Sequence, residues 1–138
     1  MKKKINTVCI IDDDPIFVFG ATRLIKKSLF CETILVYSNG KEALDKLKKI
    51  MKSDNLEKIP DLIFLDLNMP ILDGWGFLEE FTTISPPKNI VVYIVTSSIS
   101  NFDKQKAKEY AQAVKEYVIK PITPVKLKEI IENQNFID

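Results

Sequence analysis

The chain has 138 residues, of which 46% are hydrophobic and 28% are charged, and its 20 basic and 19 acidic side chains leave a net charge of +1. This length suits about one domain, and the near-neutral charge argues against nucleic acid as the main partner, because proteins that follow phosphate backbones carry a basic excess. Histidine is absent, which excludes every catalytic or metal-binding scheme that needs imidazole.

The first half of the chain alternates between strand and helix patterns. Residues 8–11 form a continuous apolar run, which is typical of a strand covered on both faces. Asp14 and Pro15 then predict the N-cap and first turn of a helix. Residues 34–37 predict a weaker second strand, and residues 43–51 carry the apolar stripe of a second helix.

The second half continues the alternation. Residues 62–65 and 90–95 predict buried strands, and residues 117–119 predict a weaker one. Gly74 opens a third helix, and Thr123 with Pro124 predicts the start of a fifth. The apolar positions that predict the fourth helix are Ala107, Tyr110, Ala111 and Val114. The polar residues 52–60 are interpreted as the frayed end of the second helix and a loop.

Five strand–helix units in succession predict an α/β fold. Such alternation is typical of right-handed crossovers that place helices on both faces of a doubly wound parallel sheet. The connections are short and contain no Gly/Ser linker or repeat. The sequence therefore predicts a single domain over residues 1–138, with its core at about residues 5–133.

Polar groups follow four of the five predicted strands. Strand one ends at residues 12–14, which are all aspartate, strand three at Asp66, strand four at residues 96–98 and strand five at Lys120. The carboxyl ends of parallel strands meet at one edge of the sheet, where open α/β folds bind their ligands. We therefore expect these side chains to form one site.

The chemistry of these groups indicates phosphoryl transfer. Clustered carboxylates repel one another unless a cation joins them, and oxygen ligands without histidine or cysteine favour Mg²⁺. Asp66 is then the candidate nucleophile, while the metal ion and Lys120 stabilise charge on the phosphoryl oxygens. Thr96 is a candidate to donate a hydrogen bond to one of those oxygens.

The motifs at these strand ends together resemble those of response-regulator receiver domains, a family that includes single-domain chemotaxis regulators. The resemblance covers roughly residues 5–133 and implies a flavodoxin-like receiver fold with strand order 2-1-3-4-5 and five helices. The motifs are Ile11-Asp12-Asp13-Asp14-Pro15, Leu65-Asp66-Leu67-Asn68-Met69-Pro70 with Asp73-Gly74, Val95-Thr96-Ser97, and Tyr117-Val118-Ile119-Lys120-Pro121.

The resemblance implies a role for each matching residue. Asp66 would accept a phosphoryl group from the phosphohistidine of a sensor histidine kinase or a phosphotransfer protein. Asp13, Asp66 and the backbone carbonyl of Asn68 would bind Mg²⁺ or Mn²⁺ directly, and Asp12 would bind it through water. Lys120 would pair with the phosphate.

The resemblance also implies a switch. Thr96 would move towards the phosphate, Tyr117 would change rotamer in response, and the face formed by helix four, strand five and helix five would change its affinity for a partner. Asn68 and Ser98 would tune dephosphorylation. We further expect a cis peptide bond before Pro121, which an X-Pro bond allows at a cost of about 0.5–1 kcal/mol.

Simpler interpretations apply to several of these residues. Asp14 is expected to act as a helix cap and not as a metal ligand. Tyr117 could be an ordinary edge-strand aromatic, and Trp75 is interpreted as a side chain at a helix start. Cys9 and Cys31 are too few for a disulfide framework and are expected to be reduced thiols.

Other function classes fit the sequence less well. A haloacid-dehalogenase phosphatase would need a second aspartate two residues after the first, where this chain has Asn68. A flavodoxin-like cofactor protein would need a phosphate-binding loop after strand one, where this chain is acidic. A receiver that has lost phosphorylation and acts only as a binding module is disfavoured by the intact residue set.

The expected protein is therefore a cytoplasmic switch and not a turnover enzyme. The chain ends soon after the predicted fifth helix, so we expect no DNA-binding domain, no membrane segment and a downstream target in trans. Dimerisation stays open, as does the choice between terminal output and relay of the phosphoryl group.

Overall fold

The computed structural model describes residues 5–134, in which five strands alternate with five helices. The strands are β1 (Thr7–Ile11), β2 (Thr33–Tyr37), β3 (Leu62–Leu65), β4 (Val91–Thr96) and β5 (Val114–Ile119). The helices are α1 (Pro15–Ser28), α2 (Gly40–Lys52), α3 (Gly74–Phe81), α4 (Asn101–Glu109) and α5 (Pro124–Asn133). A 3₁₀ turn at Leu56–Lys58 lies in the predicted loop before β3.

The strands form one parallel sheet in the order β2-β1-β3-β4-β5, as predicted. Ile11 of β1 pairs with Leu65 of β3, and Leu65 pairs with Ile94 of β4. The ladder continues past the strand ends, because the Asp66 amide donates to the Ile11 carbonyl at 2.9 Å. The register therefore brings the polar residues after β1 and β3 to the same level at the carboxyl edge of the sheet.

Each face of the sheet carries its own hydrophobic core. The core that includes α2 and α3 has the fully buried side chains of Leu47, Leu65 and Phe77. The core that includes α1 and α5 has those of Ile25 and Ile130. Burial on both faces explains why β1 and β3 read as continuous apolar runs in the sequence.

The outer strand β5 is longer than predicted. It begins at Val114 and includes the exposed Lys115. Val92 pairs with Val114 and Tyr93 pairs with Glu116, so Lys115 has no partner residue in β4. An edge strand has one solvent-accessible side, so charged residues interrupt its apolar pattern.

The fourth helix lies earlier in the chain than predicted. It ends at Glu109 with Tyr110 as its C-cap, so the predicted helical stripe was wrong at Ala111 and Val114. Of that stripe, Ala107 in α4 and Tyr110 at its C-cap pack against the core. Val114 is instead the first residue of β5. The true start is a Ser100 N-cap.

The predicted helix starts at Asp14 and Thr123 are confirmed. Asp14 accepts hydrogen bonds from the amides of Ile16 and Phe17, and Thr123 accepts one from Lys126. Within residues 5–134, no helix combines the length and the apolar character that crossing a bilayer requires.

Candidate functional site

Three carboxylates converge at the carboxyl edge of the sheet. Asp12 and Asp13 follow β1, Asp66 follows β3, and each offers one oxygen such that the three oxygens lie within 4.8 Å of one another. Asp12 and Asp66 are 2% and 5% exposed, whereas Asp13 faces solvent. The sequence prediction that these residues share one site is consistent with this geometry.

Lys120 extends into this cluster from the end of β5. Its Nζ lies 2.9 Å from Asp12 Oδ2, 3.4 Å from Asp66 Oδ2 and 3.7 Å from Asp14 Oδ2. Burial disfavours its charge, but Asp12 and Asp66 outweigh burial, so the pKa of the ammonium group is raised. The site thus holds a fixed positive charge beside the Asp66 carboxylate. The Lys120–Pro121 bond is cis, as predicted.

The loop after Asp66 folds back onto the backbone of the same residue. The Gly74 amide donates to the Leu67 carbonyl at 2.9 Å, and a Cβ at Gly74 would lie 2.4 Å from the Asp66 carbonyl oxygen. Only glycine fits this approach. The Leu67 amide donates to Asp66 Oδ1 at 2.8 Å, which orients the carboxylate. Asn68 lies exposed in the same loop.

The segment after β4 joins the site to β5. Thr96 is fully buried, its hydroxyl accepts a hydrogen bond from the Ser98 amide at 3.3 Å, and its carbonyl accepts one from the Lys120 amide at 2.8 Å. The Tyr117 hydroxyl donates to the Ser98 carbonyl at 2.8 Å. The predicted switch pair is therefore linked through the backbone of Ser98.

The donor set suits a hard divalent cation. Asp12 Oδ2 is buried and makes no hydrogen bond among the described residues, although Lys120 lies near it. Burial, with a smaller contribution from Asp66, raises the pKa of Asp12 to about 6, although the hydrogen bond from the Asp14 amide and the positive charge of the nearby Lys120 oppose this rise. A cation would relieve this cost, and oxygen-only donors fit Mg²⁺ or Mn²⁺.

Sequence analysis did not predict several contacts in and near the site. Lys120 Nζ lies 4.6 Å from the centre of the Phe17 ring, so the first helix supplies a cation–π partner. Trp75 is nearly buried, and its indole donates to Asp103 of α4 at 3.0 Å. A usable signal was the Ser100-to-Asp103 spacing, which is typical of a helix capping box. That spacing would have located α4 but not the contact with Trp75.

Comparison with known proteins identifies similar chains. The family model described as the response regulator receiver domain matches residues 8–132. A solved structure of a two-component response regulator from Cytophaga hutchinsonii is 32% identical, with a TM-score of 0.80, and the alignment covers 95% of this chain and 96% of that one.

Two curated relatives differ more from this chain, either in their length or in their sequence identity to it. The sensor histidine kinase CheAY of Helicobacter pylori is 33% identical over 100 residues, which are 72% of this chain but 12% of that protein. The probable methanogenesis regulatory protein FilR2 of Methanothrix harundinacea is 27% identical over 125 residues, which are 91% of this chain and 78% of that protein. The chain thus spans only about an eighth of the length of the first of these relatives.

Proposed function

The chain belongs to the response regulator receiver family of two-component signalling, and on that premise we propose that Asp66 accepts a phosphoryl group and so switches partner binding. The observation that carries the proposal is the position of Lys120, whose ammonium lies 3.4 Å from Asp66 Oδ2 within a cluster of three carboxylates. A carboxylate nucleophile beside a fixed cation is the arrangement that aspartyl phosphate formation needs.

The proposed reaction is a phosphoryl transfer. A carboxylate oxygen of Asp66 forms a bond to phosphorus while the bond from phosphorus to a histidine nitrogen of the donor breaks, and the imidazole leaves and takes up a proton. Lys120 stabilises the charge on the phosphoryl oxygens, and the Thr96 hydroxyl donates a hydrogen bond to one of them. The donor is a sensor histidine kinase or a phosphotransfer protein.

The residues that would hold the metal ion are those with oxygen atoms around Asp66. Asp13, Asp66 and the Asn68 backbone carbonyl would bind Mg²⁺ or Mn²⁺ directly, and Asp12 would do so through water. When bound, the ion supplies positive charge for the phosphoryl oxygens. The convergence of the three carboxylates supports this assignment.

Signal output depends on the segment after β4. Movement of Thr96 towards the phosphoryl group would displace Ser98, whose carbonyl accepts the Tyr117 hydroxyl bond. The surface of α4, β5 and α5 would then present a different shape, and a partner that prefers this shape shifts the population. Asn68 and Ser98 are the residues expected to tune dephosphorylation.

We further propose that this receiver domain works in the cytoplasm and acts on a downstream protein, without turnover of an external substrate. Relay of the phosphoryl group to a histidine phosphotransfer protein is the alternative output. The relation to a sensor histidine kinase at 33% identity suits either output.

The test is labelling with acetyl phosphate in the presence of Mg²⁺, followed by mass spectrometry. The unchanged protein should gain one phosphoryl group that hydroxylamine removes, because an acyl phosphate is labile to that nucleophile. Asp66→Asn should remain unlabelled, whereas Asp45→Asn, on the exposed face of α2, should be labelled normally. Labelling of Asp66→Asn at the normal rate would exclude Asp66 as the acceptor.

A further inference from the structure

The carboxylate of Asp103 connects three elements near the switch residues. Asp103 lies in the first turn of α4, after the Ser100 N-cap. Its Oδ1 accepts a hydrogen bond from the indole N–H of Trp75 in α3 at 3.0 Å, and its Oδ2 accepts one from the Ser98 hydroxyl at 2.5 Å. Both oxygens thus accept hydrogen bonds from residues outside α4, although a residue at this position commonly accepts a hydrogen bond from the amide of the N-cap residue.

The bond to Asp103 uses the only proton that the Ser98 hydroxyl can donate. Hydrogen bonds from a hydroxyl to a carboxylate are short and strong, and this one has the expected length. The same hydroxyl oxygen also accepts the Ser100 amide at 3.3 Å. Ser98 therefore has no free proton for a phosphoryl oxygen or for a water molecule.

Ser98 is hydrogen-bonded to both Thr96 and Tyr117. It lies two residues after Thr96, and its carbonyl accepts the Tyr117 hydroxyl bond at 2.8 Å. Burial raises the pKa of that hydroxyl, and the charges of Asp103 and Asp66 raise it further, although the bond to Ser98 opposes them. The Tyr117 hydroxyl therefore lies within electrostatic reach of both the acceptor carboxylate and Asp103.

Trp75 gives Asp103 a rigid support. The Trp75 ring stacks on Tyr110 with their centres 5.7 Å apart, and Lys106 Nζ lies 5.3 Å from the Trp75 ring centre. Trp75 directly follows Gly74, whose amide donates a hydrogen bond to the Leu67 carbonyl in the loop after Asp66. The carboxylate of Asp103 is thereby positioned relative to both the loop after Asp66 and the segment after β4.

We propose that Asp103 is a positioning residue that sets the lifetime of the phosphoryl group on Asp66 by keeping the Ser98 hydroxyl occupied. The inference rests on the proposed function, since it requires phosphorylation of Asp66. In hydrolysis, a water oxygen bonds to phosphorus and the bond from phosphorus to Asp66 breaks; one water proton stays on the inorganic phosphate and the other passes to solvent. A freed Ser98 hydroxyl would orient that water.

The experiment measures the rate constant for loss of phosphoryl group after labelling with acetyl phosphate and removal of the excess. In Asp103→Asn, one acceptor oxygen becomes an amide donor, so the two bonds cannot both persist. We expect the rate constant to rise roughly fivefold, which is the scale on which one hydrogen bond changes a rate. In the Ser98→Ala background, Asp103→Asn should have no further effect.

Trp75→Phe serves as the matched control, because it removes the indole bond while the second carboxylate oxygen still accepts from Ser98. Because the bond from the Ser98 hydroxyl remains, we expect its phosphoryl lifetime to change much less than that of Asp103→Asn. Emission from Trp75, the single tryptophan of the chain, should shift in Asp103→Asn, and circular dichroism should show that its fold is retained.

Four outcomes would overturn the inference. An equal rate increase with and without Ser98 would mean that Asp103 acts through the stability of α4. An unchanged lifetime in Asp103→Asn, or a folded Asp103→Asn protein that cannot be labelled, would exclude control of lifetime. Absence of labelling in the unchanged protein would contradict the proposed function and this inference together, whereas normal labelling with equal lifetimes contradicts the inference alone.

Discussion

At the scale of single residues, the aspartates after β1 have different environments despite being adjacent. Asp12 is buried beside Lys120, Asp13 is exposed but within the carboxylate cluster, and Asp14 caps α1. Side-chain direction alternates along an extended segment, so neighbouring side chains point to opposite sides of the backbone. Three identical residues can therefore have three roles.

The role of Asp13 leads to a prediction about metal affinity. Asp13→Asn should weaken Mg²⁺ binding by more than about tenfold, because it removes one charged oxygen from the proposed metal site. Asp14→Asn is the matched control, since asparagine caps a helix as well as aspartate does. Titration calorimetry should show a large loss of affinity in the first variant only. Equal losses would mean that the wrong aspartate has been assigned.

The burial of Asp12 leads to a prediction about pH. The pKa of Asp12 is about 6 in the folded protein against an ordinary value of 3.8, so between these values the folded state binds the proton more tightly than the unfolded chain. This group should therefore lower stability as the pH rises from about 4 to about 6. In metal-free buffer, the melting temperature should be higher at about pH 5 than at about pH 7.5.

Asp12→Asn provides the check on that pH dependence, because asparagine resembles the neutral carboxyl in size and does not titrate. Its melting temperature should vary less between the two pH values and should exceed that of the unchanged protein at the higher one. The same pH dependence in both proteins would show that another group is responsible.

At the scale of elements, α3 is placed by the close approach of its first residue, Gly74, to the backbone of Asp66. Gly74 lies against the backbone of Asp66 and Leu67, whereas Gly20 in α1 has no atom within 4 Å of the position a Cβ would take. The two glycines thus have opposite consequences for stability. At Gly74 the absence of a side chain permits a contact, while at Gly20 it weakens a helix.

Alanine substitution at these two glycines tests the difference. Gly74→Ala should lower the free energy of unfolding by about 2–3 kcal/mol, because backbone atoms must move to accept the methyl group. Gly20→Ala should raise it by about 0.5–1 kcal/mol through its higher helix propensity. Urea unfolding measures both. Tolerance of Gly74→Ala would show that the loop is not held against the Asp66 backbone.

At the scale of the whole molecule, the two edges of the sheet use buried carboxylates in opposite ways. At the amino edge, Asp61 accepts hydrogen bonds from the amides of Asn6 and Thr7 and pairs with Lys88 at 3.1 Å. At the carboxyl edge, Asp12 and Asp66 share one lysine and repel each other. The first arrangement stabilises the fold, and the second suits ligand binding at a cost in stability.

Removal of the carboxylate at the amino edge should affect stability alone. Asp61→Ala should lower the free energy of unfolding by about 3 kcal/mol, because it leaves Lys88 and two amides without their partner. Mg²⁺ affinity should remain that of the unchanged protein, since Asp61 lies at the opposite edge. Urea unfolding and calorimetry separate the two effects, and a loss of affinity in the folded variant would contradict the division between the edges.

The accuracy of the sequence predictions followed the degree of burial. The four-residue strand β3 was predicted with its observed bounds, because burial on both faces leaves a continuous apolar run. The edge strand β5 and helix α4 were misplaced at Val114, where the apolar residue fits both a helical stripe and a strand. Helix α4 has no buried residue, so its amphipathic pattern is weak.

The sequence by itself determined the fold class, the strand order implied by the family motifs, and the convergence of Asp12, Asp13, Asp66 and Lys120. These features depend on local patterns and on the rule that parallel strands end at one edge. Only the tertiary structure decided which aspartate is buried, that Phe17 lies under Lys120, and that Asp103 binds Trp75 and Ser98. Such contacts join residues far apart in the chain, and side-chain packing in three dimensions selects them.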